Sequence, residues 1–310
     1  MRILITGVNG QDGSILAKMH LLNGDKVWGT TRTSLKKTPN TVTVVYDDLY
    51  NSDSSSKCLD KINPDLIYHL AAKHFDSTKD LILSNEIKNE MYSCHVNVTT
   101  NILNWQLKNL NTKSLVALSS QMYVGDKNNR IINENTICDS RNYYAKTKEE
   151  AFDLVRLYRN SHGVSSYGAI LFNHTSIASK PEFLFPTLAR QMAEVICNRS
   201  CEIFLDDPDR EIDICHASDI CDGIFKLMNY NPACDLIFSS GKLIKITDLI
   251  KRTFQLLKFQ GKYDIIKTGT RSPKNITVVG DISSAKELIN WKPTKTPEEI
   301  LAEQILELAE

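Results

Sequence analysis

Arg2-Ile3-Leu4-Ile5-Thr6-Gly7-Val8-Asn9-Gly10-Gln11-Asp12-Gly13-Ser14 puts a strand, a glycine-rich turn and the start of a helix in immediate succession. Ile3 to Thr6 is a short apolar run, and the spacing from Ser14 to Leu22 is helical. A glycine-rich turn in that setting is the sequence form of a dinucleotide site. Gly7 permits the tight turn, Gly10 lets backbone approach a pyrophosphate, and Gly13 lets the helix pack closely on the sheet. The helix N-terminus then faces the phosphates. Asn9, Gln11 and Asp12 complete the expected cofactor-binding turn.

Strand and helix patterns alternate beyond it. Strands are expected at Lys26 to Thr30, Val42 to Tyr46, Asp65 to Leu70, Ser114 to Ser119 and Val164 to Phe172. Helices are expected at Val96 to Leu110 and Tyr143 to Asn160, and the run Asn51 to Ser56 reads as a polar loop capping a helix. This alternation implies an α/β fold, a doubly wound parallel sheet of the Rossmann type. After Asn173 the pattern loosens. Helices are expected at Phe183 to Ile196, Asp219 to Met228, Ile246 to Leu257 and Pro297 to Leu308, with strands at Glu202 to Leu205 and Leu236 to Ser239. The expected organisation is a dinucleotide-binding domain over residues 1–172 and a smaller α/β C-terminal substrate lobe over residues 173–310. Some later segments are expected to return to the first domain.

The 310 residues carry 37 Lys plus Arg against 37 Asp plus Glu, which argues against nucleic-acid or membrane-surface partners. No apolar run approaches the ~18 residues of a membrane span, and no leader pattern precedes Arg2, so a cytoplasmic protein is expected. Eight cysteines are present, none in a CxxC pair. Cys197 and Cys201 could share a helix face and Cys215 and Cys221 flank His216, but these spacings fit no familiar zinc site. Buried free thiols and no metal are expected.

The second strand leads into Gly29-Thr30-Thr31-Arg32, with Lys36 and Lys37 close behind. An acidic residue there would hold the ribose 2′-hydroxyl of NAD; a guanidinium suits a 2′-phosphate, so the expected cofactor is NADP(H). Asp48 and Leu49 after the third strand are candidates for the adenine, and Leu70-Ala71-Ala72 ends the fourth strand with small residues that suit an approaching cofactor.

Tyr144 and Lys148 are four apart, hence on one helix face. A lysine cation beside a phenol is expected to lower its pKa towards useful acid–base chemistry and to hold the nicotinamide ribose. Ser119, about 25 residues earlier at a strand end, can hydrogen-bond the oxygen that Tyr144 protonates; Ser120 takes that place in the neighbouring register. The Ser, Tyr-x-x-x-Lys and glycine-turn set resembles the short-chain dehydrogenase/reductase family.

The resemblance sharpens towards GDP-mannose 4,6-dehydratases of the extended epimerase/dehydratase branch. Gly10-Gln11-Asp12-Gly13-Ser14, Gly29-Thr30-Thr31-Arg32 and Gly168-Ala169-Ile170-Leu171-Phe172-Asn173-His174 are similar to that family's segments. So are His216-Ala217-Ser218-Asp219, Gly280-Asp281-Ile282-Ser283 and Asn290-Trp291-Lys292-Pro293. The resemblance implies a nucleotide-diphosphate sugar as substrate, with Asn173 on its phosphates, Arg271 on the diphosphate, and Lys73 and Arg210 as further contacts. Hydride would pass at C4 of the sugar. In the dehydratases, a glutamate two after the catalytic hydroxyl residue takes the C5 proton. Here Gln121 stands there, or Met122 in the other register, and an amide has no useful basicity. A 4-keto reductase, C4 oxidase or epimerase is therefore expected, with Lys73, His74 and His95 as substitute bases for a true dehydratase. The rival of another class is a non-catalytic NADP-binding sensor or scaffold. The resemblance also implies a homodimer or higher oligomer, with Trp105, Leu107, Phe152 and Leu157 as seam or core.

Overall fold

The computed structural model describes residues 1–30, 41–45, 48–73, 83–123, 130–269 and 277–309. Its centre is a sheet of seven strands: β1 (Arg2–Thr6), β2 (Lys26–Thr30), β3 (Thr43–Val45), β4 (Leu66–His69), β5 (Lys113–Ser119), β6 (Ser166–Leu171) and β7 (Asp235–Phe238). The order is β3-β2-β1-β4-β5-β6-β7, and every pairing is parallel. This is the expected doubly wound Rossmann sheet. Ile3, Leu4 and Ile5 are fully buried, as a strand covered on both faces requires. The chain runs one way from β1 to β3 and the other way from β4 onward. A crevice therefore opens at the carboxyl ends of β1 and β4, where ligands of such sheets bind.

Helices α1 (Gln11–Leu22) and α2 (Ser52–Ile62) follow β1 and β3. The polar run after Asn51 is not a loop. Asn51 Oδ1 accepts from the Asp53 and Ser54 N–H groups, and Ser52 to Ser56 already form the first turns of α2. The helix expected from Val96 is observed as α4 (Val98–Gln106), and it is preceded by an unexpected helix α3 (Asn85–Tyr92) and a π-turn at Ser93–Asn97. Only Met91 of α3 is buried, so no apolar periodicity announces it, and the π-turn shifts the helical phase of α4. Helix α5 (Tyr143–His162) packs on β5 and β6. Trp105 and Phe152 are core, whereas Leu107 and Leu157 are 40% and 52% exposed.

A second apolar cluster gathers helices α6 (Leu184–Ile196), α8 (Ile246–Leu256) and α10 (Pro297–Ala309) with the strand Glu202–Leu205. That strand pairs in parallel with Asp264–Lys267. Helix α7 (Ala217–Asn229) belongs to the main core instead, as does α9 (Ser283–Ile289) through Ala285. The late motifs are architectural. Asp219 accepts from the Thr294 N–H and hydroxyl and the Lys295 N–H, and the Trp291 indole donates to the Asp219 carbonyl. Asp213, buried and with its carboxyl pushed up by burial, accepts from Ser239, Ser240 and the Gly280 N–H. Asp281 accepts from the N–H and hydroxyl of Ser283, the first residue of α9. Among the described residues, no helix is long and apolar enough to cross a membrane, and no cluster of His, Cys, Asp and Glu could hold a metal. Cys58, Cys94, Cys215 and Cys221 are buried, but Cys197 and Cys201 are exposed, because they flank the turn between α6 and the strand at Glu202.

Candidate active site

The turn after β1 is shaped by what it must not contain. Gly7 has φ +71°, and a Cβ on Gly13 would meet the Gly7 carbonyl oxygen at 2.4 Å. Any side chain at Gly13 would push α1 off the strand. Gly10 is the N-cap of α1, and the N–H groups of a helix's first turn have no intrahelical acceptors. These features fit a dinucleotide pyrophosphate. Asn9 is half-buried in the same turn.

The floor of the crevice is a closed chain of hydrogen bonds. Ala71 N–H donates to Thr6 Oγ1 at 3.1 Å, and Thr6 Oγ1 lies 2.8 Å from His69 Nδ1. His69 Nε2 lies 3.0 Å from the Cys94 carbonyl, which can only accept. The proton therefore sits on Nε2, and the Thr6 hydroxyl donates to Nδ1. Burial and the nearby Lys148 charge push His69 down to about 3, so it stays neutral. Leu70, Ala71 and Ala72, half-buried, line the β4 side of the crevice.

Ser119 ends β5, opposite Leu171, and Tyr144 and Lys148 stand one turn apart on α5. The Ser119 hydroxyl donates to the Tyr144 phenol, and Ser119 Oγ accepts the Gln121 N–H at 3.2 Å. Met122 is fully buried in the main core, which leaves Gln121, exposed, beside the pair. Lys148 is buried and donates to the Ala117 carbonyl at 2.7 Å; burial holds it down to about 8. The expected lowering of the phenol does not occur. Burial raises Tyr144 to about 12 against the Ser119 hydrogen bond, while the lysine is engaged with backbone.

His95 is not a spare base. The Lys73 N–H donates to its Nε2 at 3.2 Å, so Nδ1 carries the proton and donates to Thr147 Oγ1 at 2.8 Å. The Thr147 hydroxyl donates a hydrogen bond to the Tyr144 carbonyl, and the His95 ring stands edge-on to Tyr144 at 5.3 Å. Lys73 Nζ is ion-paired with Glu90 at 2.5 Å. Arg32, Lys36, Lys37, His74 and Arg271 lie outside the described residues.

The side chains of Gln11 and Asp12 are engaged by the segment that follows β6. Gln11 Oε1 accepts from Ser176 and Ser179 at 3.0 and 2.5 Å, and Asp12 Oδ2 meets His174 Nε2 at 3.0 Å. Burial works to lower His174, but the Asp12 carboxylate prevails and lifts it to about 9. The cofactor turn is thus tied to the strand Asn173–Thr175. Asn173 is exposed and donates from Nδ2 to the Asp213 carbonyl at 3.1 Å. Asp48 accepts the Tyr50 N–H, and Leu49 is buried against α2 and α4 residues. Arg210 is exposed just before Glu211–Ile212, its carbonyl accepting from the Ile246 N–H. The structure brings Ser119, Gln121, Tyr144 and Lys148 together, and the Arg210 backbone meets the start of α8. Sequence reading missed Thr6, His69, His174 and Asn142. Asn142 had a signal, an asparagine just before a helical pattern. The others had none, since their partners are distant in sequence.

The sequence pattern of the family described as GDP-mannose 4,6 dehydratase matches residues 4–304. GDP-mannose 4,6 dehydratase 1 of Arabidopsis thaliana is 26% identical over 335 residues, covering 99% of this chain and 90% of the relative. A GDP-mannose 4,6-dehydratase of Sordaria araneosa, sdnI, is 24% identical over 334 residues; the match takes in 97% of this chain but only 60% of that longer protein. Among solved structures, a UDP-glucuronic acid 4-epimerase from Bacillus cereus in complex with UDP-glucuronic acid and NAD superposes with a TM-score of 0.80 at 21% identity, covering 99% and 100% of the two chains.

Proposed function

The chain belongs to the GDP-mannose 4,6-dehydratase family, and on that premise we propose that it is a cytoplasmic NADP-dependent enzyme exchanging hydride at C4 of a nucleotide-diphosphate sugar, a GDP-sugar by family. Its chemistry is that of a 4-keto reductase, C4 oxidase or epimerase, without dehydration. The bound cofactor would supply or accept the hydride. Everything else falls to side chains. Ser119 polarises the C4 oxygen, Tyr144 exchanges its proton, and Lys148 holds the cofactor ribose beside them. A phenol held up at about 12 is protonated at neutral pH, the state in which it can give a proton to a forming alkoxide.

The observation carrying this reading is Gln121. A carboxamide occupies the place beside Ser119 and Tyr144 where elimination needs a base, and His95 and Lys73 are both engaged. NADP is favoured over NAD by Arg32 and by the missing acid after β2. Lys73, Asn173, Arg210 and Arg271 remain the proposed substrate contacts, and Asp48 and Leu49 the proposed adenine contacts. We also propose a homodimer through the outward faces of α4 and α5, where Leu107 and Leu157 are exposed; light scattering at the mass of one chain would exclude it.

The test is absorbance at the reduced-nicotinamide band with a panel of GDP-, UDP-, CDP- and dTDP-sugars, adding NADP⁺, NADPH, NAD⁺ or NADH. Net consumption or formation of reduced NADP with one sugar nucleotide supports an oxidase or reductase. Turnover to a dehydrated sugar with no net cofactor change returns the protein to the dehydratases. Tight NADPH binding with no turnover at all favours the sensor reading.

A further inference from the structure

Asn142 and Gln121 form a pair of carboxamides beside the reacting groups, and hydrogen-bond chemistry fixes how each is turned. The Ala145 N–H points at Asn142 Oδ1 at 2.8 Å. A backbone N–H needs an acceptor, so this atom is the amide oxygen, and it caps α5. The other end, Asn142 Nδ2, donates to Gln121 Oε1 at 3.3 Å. Gln121 is therefore held by its oxygen, and its NH2 group, with two hydrogens to give, forms the outer end of the pair. The backbone N–H of Gln121 rests on Ser119 Oγ, and Ser119 reaches the Tyr144 phenol. The Gln121 side chain is exposed, and its backbone is anchored on the hydroxyl that reaches Tyr144.

A substrate hydroxyl both donates and accepts, so either end of an amide would serve it. A carboxylate oxygen only accepts, and its charge makes the bond to an N–H donor shorter and stronger. Holding an amide with its nitrogen outward matters for the second kind of partner and not for the first. We propose that Gln121, oriented by Asn142, is a specificity-determining donor to a carboxylate carried on the sugar carbon next to the one that exchanges hydride, which makes the substrate a nucleotide-activated hexuronate. The inference rests on the proposed sugar-nucleotide activity and narrows it. Asn142 acts through Gln121 and is a positioning residue.

The test uses Asn142→Asp. An aspartate keeps the helix cap, since its carboxylate accepts from the Ala145 N–H. It cannot donate to Gln121 Oε1, so Gln121 turns its NH2 towards the new carboxylate and presents its oxygen outward. The probes are two pairs, UDP-glucuronic acid with UDP-glucose and GDP-mannuronic acid with GDP-mannose, titrated calorimetrically into the protein at saturating NADPH. The wild type is expected to bind the uronate of one pair about tenfold more tightly than its hydroxymethyl partner, the scale of one charge-assisted hydrogen bond. Asn142→Asp is expected to erase that preference while the melting temperature and the NADPH affinity stay unchanged, which a merely structural role for Asn142 would not do. A wild type with no preference, or a variant that keeps it, overturns the inference and leaves the sugar-nucleotide activity standing. Failure of all four probes to bind while NADPH binds overturns the inference for these nucleotides, and failure of the CDP- and dTDP-sugars as well overturns the sugar-nucleotide activity.

Discussion

Two regions of the site answer to different constraints. Under the crevice, Thr6, His69, His95 and Thr147 form hydrogen-bond chains in which the donor or acceptor role of each ring nitrogen and hydroxyl is fixed by its partners. At the mouth, Gln121 is exposed and Asn142 half-exposed, and the pair leans on one helix cap. A change in the floor leaves a buried donor or acceptor without a partner, which is costly. A change at the mouth costs little stability and alters what the reacting oxygen's neighbours can be. On the proposed reading, the departure lies at the mouth, where Gln121 stands in the position for which the resemblance implies a glutamate. A shared proton-handling pair with a different reaction is what that reading predicts.

The comparison can be sharpened first at the boundary between the two regions. Tyr144→Phe removes the phenol proton and nothing of the ring's burial. Turnover is expected to fall by a factor of about 10²–10⁴, with the melting temperature nearly unchanged and cofactor titration still saturating. A variant retaining a tenth of wild-type turnover would separate Tyr144 from the chemistry.

Thr6→Val probes the floor itself. It fills the same volume but leaves His69 Nδ1 and the Ala71 N–H unmatched. Urea unfolding should show a loss of about 1–3 kcal/mol; no loss would mean that the chain of bonds is not what holds the floor. The tie between Asp12 and His174 offers a subtler break. His174 is lifted above its unfolded value of 6.5 to about 9, so the stability it contributes is fully present below pH 6.5 and is lost as pH rises through 9. Wild type minus His174→Gln, followed by melting temperature from pH 6 to 10, should show a difference that shrinks across that window. A constant difference would mean that the histidine is not charged in the fold. The smallest effect lies outside both regions. Cys197 and Cys201 should react promptly with a thiol reagent in the native protein, ahead of the buried Cys58, Cys94, Cys215 and Cys221, and leave stability within about 0.5 kcal/mol.

Much of the fold could be read because its signals are local. A buried parallel strand is a continuous apolar run, as at Ile3 to Thr6, and the glycine turn comes directly after it. The pairing of Tyr144 with Lys148 is a matter of helix pitch. What escaped depends on partners far away in the chain. Helix α3 is polar on nearly every side, Asp12 meets a histidine 162 residues later, and Asp219 holds a segment 75 residues on. The pKa of Tyr144 escaped for a related reason. Spacing puts a lysine beside it but cannot say that both side chains are buried or that the Lys148 ammonium is engaged by the Ala117 carbonyl.

The central claim is that hydride moves at C4 and no water leaves. The most direct measurement uses NADPH carrying deuterium at its transferable position, a 4-keto sugar nucleotide as acceptor, and mass spectrometry of the sugar product. The predicted result is one deuterium in the sugar, every oxygen retained, and cofactor consumed mole for mole. A 4-hydroxy sugar nucleotide that instead emerges lighter by one water, with the cofactor unchanged, would contradict it and show that this protein eliminates without a carboxylate at position 121.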